Sequence, residues 1–229
     1  MGKEEKDILE ELKYSVIFHD TIKDSRWLPE NQSFSLRGGA MDYGAMYVLY
    51  RVLNEFQPKC VLEMGLGQSS KMISRYAEYY ETVLHRIIEH DPLWKKFFQN
   101  HYKLPMNSMV IMLDIVDEKI VINGKEGNVT HYKNFYECLS DKHYDMIVID
   151  GPYGYRSPYY SRIDSLSLIP QCLGKDFVIF MHDIDRVGEQ NTMEMIKSKL
   201  SENKIKYREK IYYHSMIVCS ENLKFFCSM

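Results

Sequence analysis

No stretch of this 229-residue chain approaches the ~20 consecutive apolar residues that a membrane-spanning helix needs, and the mean hydropathy is −0.37. Nor is there an excess of charge of one sign. The 29 Lys and Arg stand against 32 Asp and Glu, a net charge of −3, which supplies no bulk basicity to grip nucleic acid or a membrane surface. Cysteines are few and scattered. Cys60, Cys138, Cys172, Cys219 and Cys227 are odd in number and show no CxxC or metal-knuckle spacing, so they read as reduced thiols of a cytoplasmic protein. The opening MGKEEKDILEELKYS has no apolar h-region, and Lys6 stands where a myristoylation signal needs Ser or Thr. Neither export nor that lipid anchor is expected. Internal repeats and low-complexity tracts are also missing.

Apolar residues, by contrast, make up 45% of the chain, enough for a substantial core. The 18 tyrosines suit a pocket for a flat or sugar-like ligand, and equally an ordinary interior. At about 150 residues per domain, the length predicts one large domain with an appendage. We place a helical and irregular extension at 1–42 and the main domain at 43–229. The extension could act as a lid or a dimer arm, and self-association is left open.

Ile8, Leu9 and Leu12 give residues 3–14 a helical spacing. Pro29, Gly38 and Gly39 break 20–42, and Tyr43–Phe56 reads as an amphipathic helix ending before Pro58. Short apolar runs then alternate with helical ones. Strands are expected at 59–63, 83–89, 109–113, 144–150 and 177–181, with helices at 69–80 and 92–101. Near-continuous apolar strands separated by helices predict a doubly wound α/β fold whose parallel sheet is covered on both faces. Lys119–Tyr132 carries Asn123-Gly124 between β-branched residues, which predicts an inserted β-hairpin at about 117–133. Tyr207–Tyr213 and Ser215–Ser220 lie too close together for a crossover helix, so the sheet should end in an antiparallel pair.

Three segments carry polar groups at strand ends. The first is Glu63-Met-Gly65-Leu-Gly67-Gln-Ser69-Ser70, between a strand and a helix. Its glycines let the turn approach a ligand, and the helix N-terminus offers free N–H groups. Ser70 replaces the third glycine of a dinucleotide fingerprint, and Glu63 would repel a pyrophosphate while suiting an ammonium, which disfavours an NAD-dependent dehydrogenase. A tight turn without a ligand is the plainer alternative. The second is Ile88-Glu89-His90-Asp91, about 20 residues on, where an acid commonly holds ribose hydroxyls. The third is Asp150-Gly151-Pro152-Tyr153-Gly154, paired with His182-Asp183 at the next strand end. Asp150, His182 and Asp183 could converge to hold an oxygen-preferring cation or to act as a base, with Asp185 a weaker addition. A hydrogen-bonded loop network is the plainer reading. Tyr153, Arg156 and Arg162, in the Tyr-rich loop that follows, are candidates for substrate contact, since a guanidinium fork matches a carboxylate. The remaining histidines and both tryptophans read as packing or surface residues.

Together these segments resemble class I S-adenosylmethionine-dependent methyltransferases, over roughly residues 40–220. The resemblance implies a Rossmann-like seven-stranded sheet, mostly parallel with a C-terminal antiparallel hairpin, and S-adenosylmethionine lying over the first two strands. GLGQSS, IEHDPLW and IDGPYGY with Arg162 look most like the glucuronoxylan-type sugar methyltransferases. His182-Asp183 is similar to the cation-assisted enzymes of the macrocin type, in which acids at these strand ends hold magnesium; His182 stands where those carry an acid. Carried over, Glu63 would meet the methionine ammonium, Gly65 and Gly67 would flank the cofactor, and Ser69 would contact it from the next helix. Glu89, beside His90, would take the ribose hydroxyls. Asp114 would contact the adenine, and Gly38 and Gly39 would lie in a segment closing over it.

The implied activity is methyl transfer to a hydroxyl of a sugar or polysaccharide-related substrate. Asp150 and a neutral His182 would accept the proton, and Asp183 would orient the imidazole or bind a divalent cation such as magnesium. A small aromatic hydroxyl is the alternative acceptor, and a non-catalytic binding module the alternative class. No nucleic-acid or membrane partner is expected.

Overall fold

The computed structural model describes residues 2–36, 40–122 and 124–229. In chain order its elements are α1 (Lys3–Thr21), α2 (Tyr43–Phe56), β1 (Cys60–Met64), α3 (Gln68–Tyr79), β2 (Leu84–Glu89), α4 (Pro92–His101), β3 (Ser108–Met112), β4 (Ile115–Ile122), β5 (Lys125–Tyr132), α5 (Phe135–Leu139), β6 (Tyr144–Ile149), β7 (Leu173–His182), α6 (Val187–Glu202), β8 (Tyr207–Tyr212) and β9 (Ser215–Ser220). Short 3-10 turns follow β6, precede β7 and close the chain. No described helix is long and apolar enough to cross a membrane.

One sheet takes the order β3-β2-β1-β6-β7-β9-β8. From β3 to β7 every pairing is parallel, and β9 runs antiparallel to both neighbours. The expected α/β architecture and its antiparallel end are therefore present. Two residues separate β8 from β9, which permits only an antiparallel return. The strand order reverses between β1 and β6, the chain stepping outward through β2 and β3 on one side and through β6 and β7 on the other, and the crevice outside the carboxyl ends of these strands is where ligands of open α/β sheets bind.

Period-2 alternation splits the strands between two cores. Val61, Val148 and Phe180 face α1, α2 and α3, packing with Phe18, Leu49 and Tyr76. Leu62, Ile147 and Ile179 face the other side with Ile196 and Leu200 of α6. Each such buried side chain contributes roughly 1.5–3 kcal/mol. Phe18, Ile22, Trp27 and Leu28 of the N-terminal segment belong to the first core.

Several boundaries differ from expectation. Helix α1 continues seven residues past 14, because Phe18 docks on the first core. The hairpin begins at Ile115 and pairs Ile122 with Lys125, leaving the expected two-residue turn, of which Gly124 has φ +75°; Asn123 lies outside the described residues. Helix α6 has no counterpart in the sequence reading. Its buried face carries Gly188, Glu189 and Thr192 beside only Met193, Ile196 and Leu200, so its apolar stripe is thin.

Candidate cofactor and acceptor site

The turn after β1 is pressed against the turn after β6. Gly65 has φ +103°, and a Cβ there would lie 3.3 Å from the Asp150 carbonyl carbon and oxygen. A Cβ on Gly151 would meet the Tyr132 hydroxyl at 2.8 Å and Gly65 N at 3.1 Å. Both positions thus require glycine. Gly65 N donates to Ile88 O at 2.9 Å, which ties the turn to β2 as well. Gly67, the extended N-cap of α3, differs: a Cβ there would meet open space. Its N–H donates to Ser70 Oγ at 2.9 Å.

Glu63 is placed otherwise than the resemblance implies. It shares a sheet face with Val61, its side chain is fully buried, and both carboxylate oxygens are taken. Ser69 Oγ donates to Oε1 at 2.6 Å, and His85 Nε2 bonds Oε2 at 3.0 Å. His85 Nδ1 in turn meets Ser108 Oγ at 3.1 Å. This chain joins β1, α3, β2 and β3 beneath the crevice. In this structure the Glu63 carboxylate is engaged by the Ser69 hydroxyl and by His85.

Glu89 is also buried, and it organises the rim. Its Oε2 accepts from Leu66 N at 3.1 Å, and its Oε1 accepts from His90 N at 2.7 Å and Asp91 N at 2.8 Å. Burial by itself would raise its pKa. His90 and the three backbone N–H groups outweigh that and hold the carboxyl below its ordinary range. Trp94 Nε1 donates to Leu66 O at 2.6 Å, so α4 braces the same turn.

Beside Glu89 the structure leaves two buried polar atoms without a hydrogen-bond partner, His90 Nε2 and the Tyr132 hydroxyl. The two rings lie 6.4 Å apart, and the Tyr153 ring meets His90 edge-on at 4.6 Å. Unpartnered buried polar atoms cost roughly 1–3 kcal/mol each, and a polar ligand here would relieve that. Asp114 is exposed, and its carbonyl accepts from Lys133 N at 2.8 Å, closing the base of the hairpin. Gly38 and Gly39 lie outside the described residues.

Asp150, His182 and Asp183 do converge, their polar atoms within 4.8 Å of one another. Asp183 has φ +61°, which turns its carboxylate back over the strand ends. His182 Nδ1 faces Asp150 Oδ1 at 3.3 Å, and Nε2 faces Asp42 Oδ2 at 3.2 Å. Burial would lower the His182 pKa, but Asp150, Asp42 and Asp183 push it up to about 10. That direction favours the imidazolium over the neutral imidazole expected at pH 7.

Arg162, in the left-handed conformation at φ +57°, is 4% exposed and reaches the same cluster. Its Nη2 donates to Asp183 Oδ2 at 2.8 Å and lies 3.2 Å from Asp150 Oδ1. Its guanidinium, expected to contact substrate, is buried among these carboxylates. Arg156 instead is exposed, over the Tyr153 and Tyr155 rings at 5.1 and 5.8 Å. Tyr153 and Tyr155 are themselves exposed beside the crevice. Asp185 does not join the Asp150, His182 and Asp183 group, and its carboxylate faces His214 at 3.5 Å.

The cluster does not fit a divalent ion. A guanidinium already bridges both carboxylates, and each ring nitrogen of His182 is directed at an acid. The reading from sequence missed Asp42, Tyr132, Glu189 and His85. Only Asp42 left a trace, as an N-cap residue preceding a helix: it accepts from Ala45 N at 2.8 Å.

No protein-family model matches the chain, and no curated protein sequence does. Among solved structures, the O-methyltransferase TomG from Streptomyces achromogenes, involved in tomaymycin synthesis and solved in complex with SAM, is 10% identical. The match covers 92% of this chain and 88% of TomG at a TM-score of 0.52. The fold is the Rossmann-like methyltransferase fold. A Staphylococcus aureus protein provisionally assigned as a caffeoyl-CoA O-methyltransferase is 15% identical, over 93% of this chain and 99% of its own, with a TM-score of 0.49. SAH-bound methyltransferase PaMTH1 from Podospora anserina is 10% identical, over 91% and 86%, with a TM-score of 0.46.

Proposed function

We propose that this chain is an S-adenosylmethionine-dependent O-methyltransferase of small molecules. The observation that carries the reading is the pair of abutting turns at Gly65 and Gly151, at the point where the sheet reverses its strand order. Glu89 and the unpartnered atoms of His90 and Tyr132 lie beside them. Open space at Gly67 and the free N–H groups that open α3 offer room and donors for a carboxylate. When bound there, S-adenosylmethionine supplies a methyl group on a positively charged sulfur.

The chain's own residues divide the remaining work. Glu89 fixes the Leu66 and His90 backbone that borders the cofactor. Tyr132 closes the floor beneath Gly151. Asp150, 19% exposed at the end of β6, takes the proton from the acceptor hydroxyl. Asp42 and Asp183 hold the His182 ring beside it. Positioning of hydroxyl and methyl in line supplies much of the acceleration.

A carboxylate base matches an acidic hydroxyl better than an alcohol. Phenols ionise near pH 10, whereas sugar hydroxyls are far weaker acids. The exposed Tyr153 and Tyr155 rings, 5.5 Å apart with Tyr153 against His90, offer an aromatic surface on the acceptor side. An aromatic hydroxyl is therefore the acceptor favoured, and the sugar hydroxyl is the second arm of the test. Incubation with methyl-labelled cofactor against a panel of phenols and saccharides is expected to label a phenol. Labelling of saccharides alone would reverse the acceptor, and binding of cofactor without transfer to either class would make the chain a binding module.

A further inference from the structure

The acid cluster at the ends of β6 and β7 has the outline of a cation site, and its interior is filled by part of the chain itself. Arg162 Nη2 sits between Asp150 Oδ1, at 3.2 Å, and Asp183 Oδ2, at 2.8 Å. Nη1 donates to His182 O at 2.9 Å, at the end of β7, and lies 3.5 Å from Ile149 O, at the end of β6. Nε donates to Pro152 O at 3.4 Å and lies 3.7 Å from Glu189 Oε1. A single guanidinium thus gathers both strand ends and three acids, a use of its fixed fork that a spherical ion serves elsewhere.

A divalent ion ligated by Asp150 and Asp183 would have to enter the volume that Nη2 occupies, bringing two charges against a third. Such ions bind oxygen ligands at roughly 2.0–2.6 Å, shorter than the 2.8 and 3.2 Å at which the two carboxylates surround Nη2. His182 offers no nitrogen to a shared ion, since Nδ1 is directed at Asp150 and Nε2 at Asp42. Arg186 Nη1, at 2.7 Å from Asp183 Oδ2, adds another cation on the outer side.

We infer that the Arg162 guanidinium is a built-in replacement for a divalent cation, so that this site holds Asp150 and Asp183 in place without binding a metal. Arg162 is a positioning residue here, acting through the two carboxylates. The inference concerns charge replacement within the chain, and it stands apart from whether methyl transfer is the reaction.

The test is a manganese titration of the full chain, followed by electron paramagnetic resonance of the free ion, with folding checked by circular dichroism. Wild type is expected to bind no Mn2+ below about 1 mM. Arg162→Ala is expected to gain binding about tenfold tighter or more, because a charge is removed and its volume vacated. Adding Asp150→Asn to that variant should abolish the gain. Arg162→Lys, which keeps a cation there, should behave as wild type. Wild-type binding of Mn2+ below 1 mM that Asp150→Asn removes would overturn the inference, as would a folded Arg162→Ala without any gain. Should Arg162→Ala not fold, the wild-type titration decides alone: tight binding refutes, and its absence supports. None of these readouts needs the methyl donor, so their failure is separable from failure of the proposed activity.

Discussion

Asp42 and His182, 140 positions apart, bind each other through Oδ2 and Nε2 at 3.2 Å, while the other oxygen of Asp42 caps α2. One carboxylate thereby couples the start of the domain's first helix to the acid cluster at the crevice. Burial penalises the charged form of Asp42, but the His182 and Ala45 hydrogen bonds prevail and depress its pKa.

The His182 linkage has a definite sign. Its folded pKa, about 10, is above its unfolded value near 6.5. Its contribution to stability is therefore fully present below 6.5 and fades as pH rises through 10. Thermal melts of wild type and His182→Gln should differ most at pH 6 and converge above pH 10. A gap that widens with pH would contradict the assignment.

Asp164 points the other way. Burial lifts its carboxyl to about 7, and its Oδ2 has no hydrogen-bond partner while Oδ1 accepts from Tyr132 N at 3.0 Å. A folded pKa above the unfolded one means that ionisation costs stability progressively between about pH 4 and 7. Asp164→Asn should raise the melting temperature at pH 8 and change it little at pH 4. Equal effects at both would show that the carboxyl is not held protonated.

Removing the Glu63 side chain should be structural in effect. Glu63→Ala leaves Ser69 Oγ and His85 Nε2 unpartnered in the interior, at about 1–3 kcal/mol each. Chemical denaturation should show a loss of roughly 2–6 kcal/mol. A near-neutral variant whose only deficit is cofactor affinity would restore the ammonium contact that the resemblance implied.

Gly65→Ala tests the abutting turns. Its φ of +103° and the 3.3 Å approach to the Asp150 carbonyl predict about 1–3 kcal/mol of strain, with weakened cofactor binding. Gly67→Ala, facing open space, should fold as wild type and lose affinity only. Melts and titrations on both variants separate the two effects.

What the sequence disclosed was periodic or local. Apolar strands, the glycine turn, the Asn-Gly hairpin and the acids at strand ends each leave a signature within a few residues. Relations between distant segments leave none. Glu63 turns to His85 because β1 pairs with β2 in a register that places both on one face, which no spacing reveals. Asp42 meets His182 only through the packing of α2 on the sheet. Arg162 lies in YGYRSPYYSR, a loop whose polarity suggests solvent, although its guanidinium is sealed among carboxylates. Helix α6 has too few apolar residues for its buried face to stand out.

The proposed activity requires the crevice bordered by Gly65, Glu89 and Gly151 to hold S-adenosylmethionine. Calorimetry with S-adenosylhomocysteine tests it most directly, on wild type and on Glu89→Ala. Wild type is expected to bind one equivalent, and the variant, its Leu66–His90 backbone no longer fixed, at least about tenfold more weakly, a difference of 1.4 kcal/mol. Absence of binding to a folded wild type, or equal binding by the two, would contradict the account.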